Sequence, residues 1–362
     1  ELLGRNVLDA FLRVLLRGVV YQDVEFAELA DDALNGVFHW PLIALTVAVP
    51  SEWRDQGHVR RLESGYTHGY RLVDTPIALP GHFHVHFHPR LGRLLDDARP
   101  ELVHVDEEPY NLATFLAMAQ ARRRGARTLF FTWQNLRRRY PPPFALFEAW
   151  ALRAADGAIA GSHTAADVLR AKGYRGPLWT LPQVGVDTHL YAPGMEPAPG
   201  RPFTIGFAGR LVAPKGLDLL FEAAAALSVG FVVSVIGTGE ARGMLESRAA
   251  ELGIAERVVW SDWRPSVDMP DYYRSLDVLV LPSRSTRSWI EQFGRVLIEA
   301  MACEVACVGS SSGEIPHVLG DAGLVFPEGD AGALRDCLQR LALDDALRAH
   351  FARAGRERVL RL

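Results

Sequence analysis

Two glutamates, Glu291 and Glu299, stand eight residues apart in Glu291-Gln292-Phe293-Gly294-Arg295-Val296-Leu297-Ile298-Glu299. The strand-like Asp277-Val278-Leu279-Val280-Leu281 and the turn Pro282-Ser283 precede them. The pattern predicts a buried strand, a polar loop and a helix starting near Phe293. Eight helical residues rise by about 12 Å, which sets Glu291 at the helix mouth and Glu299 two turns deeper. That separation suits a ligand with two hydroxyl-bearing groups joined by a linker, as in a nucleotide sugar. Two solvated glutamates on a surface helix would be the plain alternative. It fits poorly, because Val296 to Cys303 is almost wholly apolar and a buried carboxylate needs a partner.

A second junction points the same way. Phe203-Thr204-Ile205-Gly206-Phe207-Ala208 reads as a buried strand, followed by Gly209-Arg210, then Lys215-Gly216 and the helical run Leu217 to Leu227. Of 39 basic residues only Lys172 and Lys215 are lysines. A lysine retained in such a chain, at a strand-to-helix junction, suits an anion drawn by a compact charge and a helix N-terminus. A solvated charge pair at a turn explains the segment equally well. At a third junction Gly237-Thr238-Gly239-Glu240 separates the strand 232–236 from a helix over 241–252. Glycines there would let backbone N–H groups approach a phosphate, although the motif is short of a full dinucleotide fingerprint.

Together these segments resemble the retaining GT-B glycosyltransferases of glycosyltransferase family 4, over residues 100 to 360 and most strongly over 203 to 335. The carrying residues are Gly209-Arg210, Lys215-Gly216, Gly237-Thr238-Gly239, Leu281-Pro282-Ser283, Glu291 with Glu299-Ala300-Met301-Ala302, and Gly313-Glu314-Ile315-Pro316. Pro182 and Gly185-Val186-Asp187 resemble the segment leading into the interdomain linker. The resemblance implies an α/β chain of GT-B architecture, with two Rossmann-like, doubly wound parallel-sheet domains facing a cleft. It implies transfer of a sugar from a nucleoside-diphosphate sugar to a hydroxyl acceptor, with retention and without metal or other cofactor. Arg210 and Lys215 would grip the diphosphate, and Gly237 and Gly239 would lie beside it. Glu291 would hold hydroxyls of the transferred sugar, with Gln292 and backbone N–H groups near Phe293 and Gly294 steadying it. Glu299 would accept from the ribose hydroxyls. Glu291, Arg210 and Lys215 form the expected catalytic set, acting by charge stabilisation and positioning.

Composition agrees with a globular enzyme. The 362 residues carry a net charge of −4, so no global basic field suggests nucleic acid. Cys303, Cys307 and Cys337 lack metal-type pairing and suggest buried thiols in a reducing compartment. No uninterrupted apolar run is long enough to span a membrane, and nothing at the start reads as a secretory signal. A cytoplasmic protein is expected. The only long Pro/Gly-rich stretch, 191–202, is expected to link domains over 1–190 and 203–362. Strands are expected at 203–208, 231–236, 257–260, 277–281, 305–308 and 323–326, and earlier at 42–49, 101–105, 127–132, 157–161 and 178–181. Ligands should then sit at the carboxyl ends of the strands.

The ends depart from the family pattern. Glu1 to Tyr21 reads as a helix, or a helix running into a strand over 13–20, with Gly18 the only candidate loop glycine. The sequence ends at Arg361-Leu362, about where relatives carry a long returning helix. Relatives also carry Gly and Pro where Glu304 and Ala306 stand, so that turn is expected to differ.

On the acceptor side, Trp133 offers a flat surface for a sugar ring, and Gln134 and Asn135 offer hydrogen bonds. A Trp packed in the core would look the same in sequence. Asp106-Glu107-Glu108 leave a strand ahead of a helix and could line the cleft, although an acidic helix N-terminus is also explained by dipole capping. His82, His84, His86 and His88 alternate with apolar residues and are expected on one face of a strand. Neighbours there are about 6.6 Å apart, so four cannot close a zinc shell, and no metal site is expected. Arg122-Arg123-Arg124 and Arg137-Arg138-Arg139-Tyr140-Pro141-Pro142-Pro143-Phe144 could contact anionic lipid at the inner face of a membrane. The partners expected are thus a nucleotide sugar and a sugar, glycan or lipid-linked acceptor. The alternatives are another GT-B enzyme, such as a sugar-nucleotide 2-epimerase, and a non-catalytic nucleotide-binding subunit.

Overall fold

The computed structural model describes residues 18–21, 44–55, 58–61, 70–194 and 200–361. The chain divides into two units, Glu1–Gln183 and Val184–Leu362. In the first, the strands are β1 (Gly18–Tyr21), β2 (Thr46–Pro50), β3 (Glu52–Asp55), β4 (His58–Arg61), β5 (Arg71–Thr75), β6 (Leu102–Val105), β7 (Arg127–Thr132), β8 (Gly157–Ala160) and β9 (Leu178–Thr180). Seven form a sheet in the order β5-β2-β1-β6-β7-β8-β9, all paired parallel, while β3 and β4 make a separate antiparallel hairpin. The hairpin and β5 were not expected from the sequence, because their charged, mixed composition lacks an apolar run.

The second unit holds β10 (Phe203–Ala208), β11 (Phe231–Ile236), β12 (Val258–Ser261), β13 (Val278–Leu281), β14 (Ala306–Ser310) and β15 (Leu324–Phe326). They form a parallel sheet in the order β12-β11-β10-β13-β14-β15. Alternation of side chains feeds two cores. Val278, Val280, Ala306 and Val308 join one with the helices Leu217–Ala225 and Ala331–Leu343. Leu279, Leu281 and Cys307 join the other with the helices Arg295–Ala302 and Asp345–Val359. Each unit is thus of the expected α/β parallel-sheet class.

Several expectations are corrected. The second unit begins at Val184. Tyr191 is buried there; its hydroxyl donates to the Ser266 carbonyl at 2.8 Å and its carbonyl accepts from Arg356 at 2.6 Å. Gly18 is a strand residue, paired with Leu102, and the expected helix before it lies outside the described residues. The four alternating histidines do not form a strand. The segment coils instead, with the N–H groups of Val85 and His86 both donating to the His82 carbonyl. His86 and His88 are buried, whereas His82 and His84 are exposed. Cys303 and Cys307 are buried free thiols, but Cys337 is only half-buried. No described helix is long and apolar enough to cross a membrane.

The turn into β14 carries a left-handed residue, Glu304, at φ +56°. A side chain there costs about 1–2 kcal/mol, a physical reason for the glycine that the resemblance led one to expect at this turn. Glu304→Gly is expected to raise stability by roughly 0.5–1 kcal/mol after the glycine entropy cost. Glu304→Ala, which keeps the strain, should leave the urea midpoint nearly unchanged.

Candidate functional site

Lys215, Ser283 and Glu291 gather where β10, β13 and β14 end. Gly216 has φ +69°, and a Cβ on it would come 2.0 Å from the Pro282 carbonyl oxygen. The loop after β10 therefore lies directly on the turn after β13, and the Arg284 N–H donates back to the Pro214 carbonyl at 2.7 Å. This contact brings Lys215 to Glu291. Lys215 Nζ donates to Glu291 Oε2 at 2.7 Å, and Ser283 Oγ donates to the same oxygen at 2.7 Å. Lys215 Nζ also lies 5.2 Å from the centre of the Trp289 ring.

The backbone of Glu291 is fixed from the other side. The Glu314 N–H donates to its carbonyl at 3.2 Å. A Cβ on Gly313 would sit 2.1 Å from that same carbonyl oxygen. Ser310 Oγ donates to the Ser283 carbonyl at 2.5 Å, closing the set.

The helix starts later than the sequence suggests. It spans Arg295–Ala302, because Gly294 before it has φ +88° and is not helical. Glu291 is therefore in the loop and not on the helix with Glu299. Gln292 is exposed, and Phe293 packs half-buried against the second core. Glu299 is 6% exposed. Tyr273 Oη donates to its Oε2 at 2.6 Å, and Arg295 Nε lies 2.8 Å from its Oε1. Burial raises the Glu299 carboxyl above the usual range, while the hydrogen bond from Tyr273 and the charge and hydrogen bond of Arg295 pull it down. The same burial, with the Glu299 charge beside it, raises the Tyr273 hydroxyl.

Arg210 is exposed in the loop after β10. Gly237 and Gly239 have another reason to be glycine than a phosphate. Gly237 N–H is engaged with the Ser261 carbonyl at 3.1 Å. A Cβ on Gly237 would meet the Gly209 carbonyl oxygen at 1.9 Å, and one on Gly239 the Leu211 carbonyl oxygen at 2.3 Å.

In the first unit Glu108 ties two strand ends together. Thr132 Oγ1 donates to its Oε2 at 2.6 Å and the Trp133 N–H to its Oε1 at 2.8 Å. Desolvation pushes its carboxyl up to about 7, against the lowering effect of those two hydrogen bonds. The acids are not helix caps: the following helix, Leu112–Arg123, has none in its first turn. Trp133 Nε1 donates to Gln183 Oε1 at 2.7 Å. Gln134 Nε2 donates to the Tyr140 hydroxyl, and Gln134 Oε1 accepts from Lys172 Nζ at 2.5 Å. Lys172 also meets Glu148 at 2.5 Å. Asn135 is half-buried beside them.

Ser283, Tyr273, Arg295, Trp289 and Lys172 were missed as site residues. The scarcity of lysine that marked Lys215 applies equally to Lys172. Tyr273 carries no local signal, because it reaches Glu299 only through packing. Of the basic stretches, Arg122 is paired with Asp156 and Arg124 with Asp96, whereas Arg137, Arg138 and Arg139 are exposed.

Residues 43–190 match the family model described as Glycosyltransferase Family 4, and residues 194–358 the one described as Glycosyl transferases group 1. The sequence is 32% identical over 198 residues to a D-inositol 3-phosphate glycosyltransferase of Saccharomonospora viridis, a stretch covering 49% of this chain and 45% of the relative. The chain spans about half the length of the curated relatives it matches. Its fold is similar to that of sucrose-phosphate synthase from Thermosynechococcus elongatus, with a TM-score of 0.68 and 19% identity over 96% of this chain and 94% of that one. It is also similar to Anabaena HepE in complex with UDP, with a TM-score of 0.69 and 17% identity over 95% of this chain and 94% of the other.

The two partners of Glu299 differ in burial, which sets an order for their loss. Tyr273→Phe removes a hydrogen bond to a buried carboxylate and should cost about 1.5–3 kcal/mol. Arg295→Gln removes a pair whose arginine side chain is 45% exposed, and should cost about 0–1 kcal/mol. Urea denaturation followed by circular dichroism measures both, and the reverse order would contradict the geometry.

Proposed function

The chain belongs to glycosyltransferase family 4, and from that membership we propose that it moves a sugar from a nucleoside-diphosphate sugar to a hydroxyl acceptor. The single observation that carries this reading is the cluster of Lys215, Glu291 and Ser283 at the carboxyl ends of β10 and β13. In parallel α/β sheets ligands bind there. Anabaena HepE, of similar fold, holds UDP, which supports a nucleoside diphosphate as the leaving group.

In this reading the donor's anomeric C–O bond breaks and a bond to the acceptor oxygen forms on the same face. The acceptor proton passes to the departing phosphate oxygen. Lys215 and Arg210 neutralise the charge that develops on the diphosphate, so no metal is needed. Glu291 accepts from hydroxyls of the transferred sugar, its carboxylate aimed by Lys215 and Ser283. Glu299 does the same for the ribose, already aimed by Tyr273 and Arg295. Trp133, Gln134, Asn135 and Glu108 serve the acceptor. The free cysteines suit a reducing, cytoplasmic setting, and the exposed Arg137, Arg138 and Arg139 suit peripheral contact with anionic lipid.

Calorimetry with nucleoside diphosphates tests the grip. Arg210→Ala and Lys215→Ala should each weaken binding by about 1.5–3 kcal/mol, with the bare nucleoside nearly unaffected. Equal losses for nucleoside and diphosphate would sink the assignment. Glu291→Gln, which keeps an acceptor beside Lys215, should spare diphosphate binding and lower turnover. Transfer or donor hydrolysis should persist in excess EDTA; activity lost there and restored by Mg²⁺ would contradict the metal-free mechanism.

A further inference from the structure

Trp289 stands two residues before Glu291 in the loop that follows β13. It is half-buried, and neither apolar core of the second unit includes it among the described residues. Packing into a core therefore does not account for its place.

The loop is tied to the segment that carries Lys215. The Arg284 side chain donates to Asp218 Oδ1 at 2.5 Å, and its N–H donates to the Pro214 carbonyl. Those two partners flank Lys215 along the chain. Ser285 Oγ donates to Glu328 Oε2 at 2.8 Å, which holds the loop from the turn after β15. The Thr286 N–H then donates to the Trp289 carbonyl at 2.7 Å, and the Trp289 N–H donates back to Thr286 Oγ1 at 2.9 Å. These bonds deliver the indole to Lys215, whose ammonium lies over the ring 5.2 Å from its centre and 2.7 Å from Glu291 Oε2. Lys172 is held in the same two ways, 2.5 Å from Glu148 and over the Tyr140 ring at 5.1 Å. Each lysine of the chain is thus matched with a glutamate and an aromatic ring.

We propose that Trp289 is a positioning residue for Lys215: its ring fixes the ammonium where the donor diphosphate is to meet it. The inference rests on the glycosyl-transfer reading and deepens it. A lysine is a compact charge on a flexible four-carbon stem, and ordering that stem costs conformational entropy. Glu291 alone would order it, but a carboxylate also offsets the charge that a diphosphate needs. A second carboxylate would repel the diphosphate outright. An indole face attracts the ammonium through its quadrupole and carries no net charge. It restrains Lys215 without adding an anion that competes with the phosphates.

The test has two arms. The first needs no ligand. Because the chain holds two lysines, lysine labelled with carbon-13 at Cε gives two NMR signals, which Lys172→Arg assigns. Trp289→Leu should remove the ring current, move the Lys215 signal downfield and leave the Lys172 signal in place. The second arm is calorimetry with UDP, GDP, uridine and guanosine. Trp289→Leu should weaken the diphosphate that binds by roughly five- to twentyfold and leave its nucleoside nearly unaffected. Trp289→Phe, which keeps a ring, should recover most of that loss. In a Lys215→Ala background Trp289→Leu should have no further effect. An unmoved Lys215 signal would overturn the proposal, as would a loss that persists without Lys215 or that the nucleoside shares. If neither diphosphate binds the unsubstituted chain while the Lys215 signal shifts as expected, the donor reading fails and the support of Lys215 by Trp289 stands.

Discussion

A buried carboxylate at the mouth of a parallel sheet governs the second unit. Glu291 is 7% exposed, and such a charge is tolerated only when paired. Lys215 after β10 and Ser283 after β13 reach it from different strand ends. The third strand end, after β14, supplies the turn that seats its backbone. Satisfying one carboxylate thus locks three loops into one arrangement. The glycines at 216 and 313 are consequences of that constraint, since any side chain there would collide with a carbonyl.

The first unit solves a related problem in the same way. Glu108 follows β6 and takes its two hydrogen bonds from the end of β7. Lys172 reaches back from beyond the helix His163–Ala171 to hold Gln134 and Glu148. Both lysines of the chain are therefore spent on glutamates and neither is a solvated surface charge. This arrangement prepares polar groups before any ligand arrives, which is how a site lowers the reorganisation needed during reaction.

The two glutamates Glu291 and Glu299 show how one motif can separate into different environments. Glu291 sits in a loop between charges and hydroxyls, whereas Glu299 sits in a helix against a tyrosine from Met269–Arg274 and an arginine one turn earlier. Their spacing in sequence is fixed, but Gly294 breaks the helical path between them. Their positions follow from two separate supports and not from one rigid rod.

The sequence by itself determined the parallel α/β class and most strand positions after residue 100, and it singled out Lys215 and Glu291, which the fold brings together. Those features are local: apolar runs, glycines at strand ends and a lysine in an arginine-rich chain survive without knowledge of packing. It misplaced the histidines of 82–88, because alternation fits a strand, and here the segment closes turns through the His82 carbonyl instead. It also gave no sign that Tyr191, at the start of a Pro/Gly-rich stretch, is buried and bonded to Ser266 and Arg356. Only the tertiary structure decided which side chains hold the glutamates. Tyr273, Ser283 and Lys215 lie 26, 8 and 76 residues from the carboxylates they meet, and no periodicity along the chain encodes a contact made by stacking one loop on another.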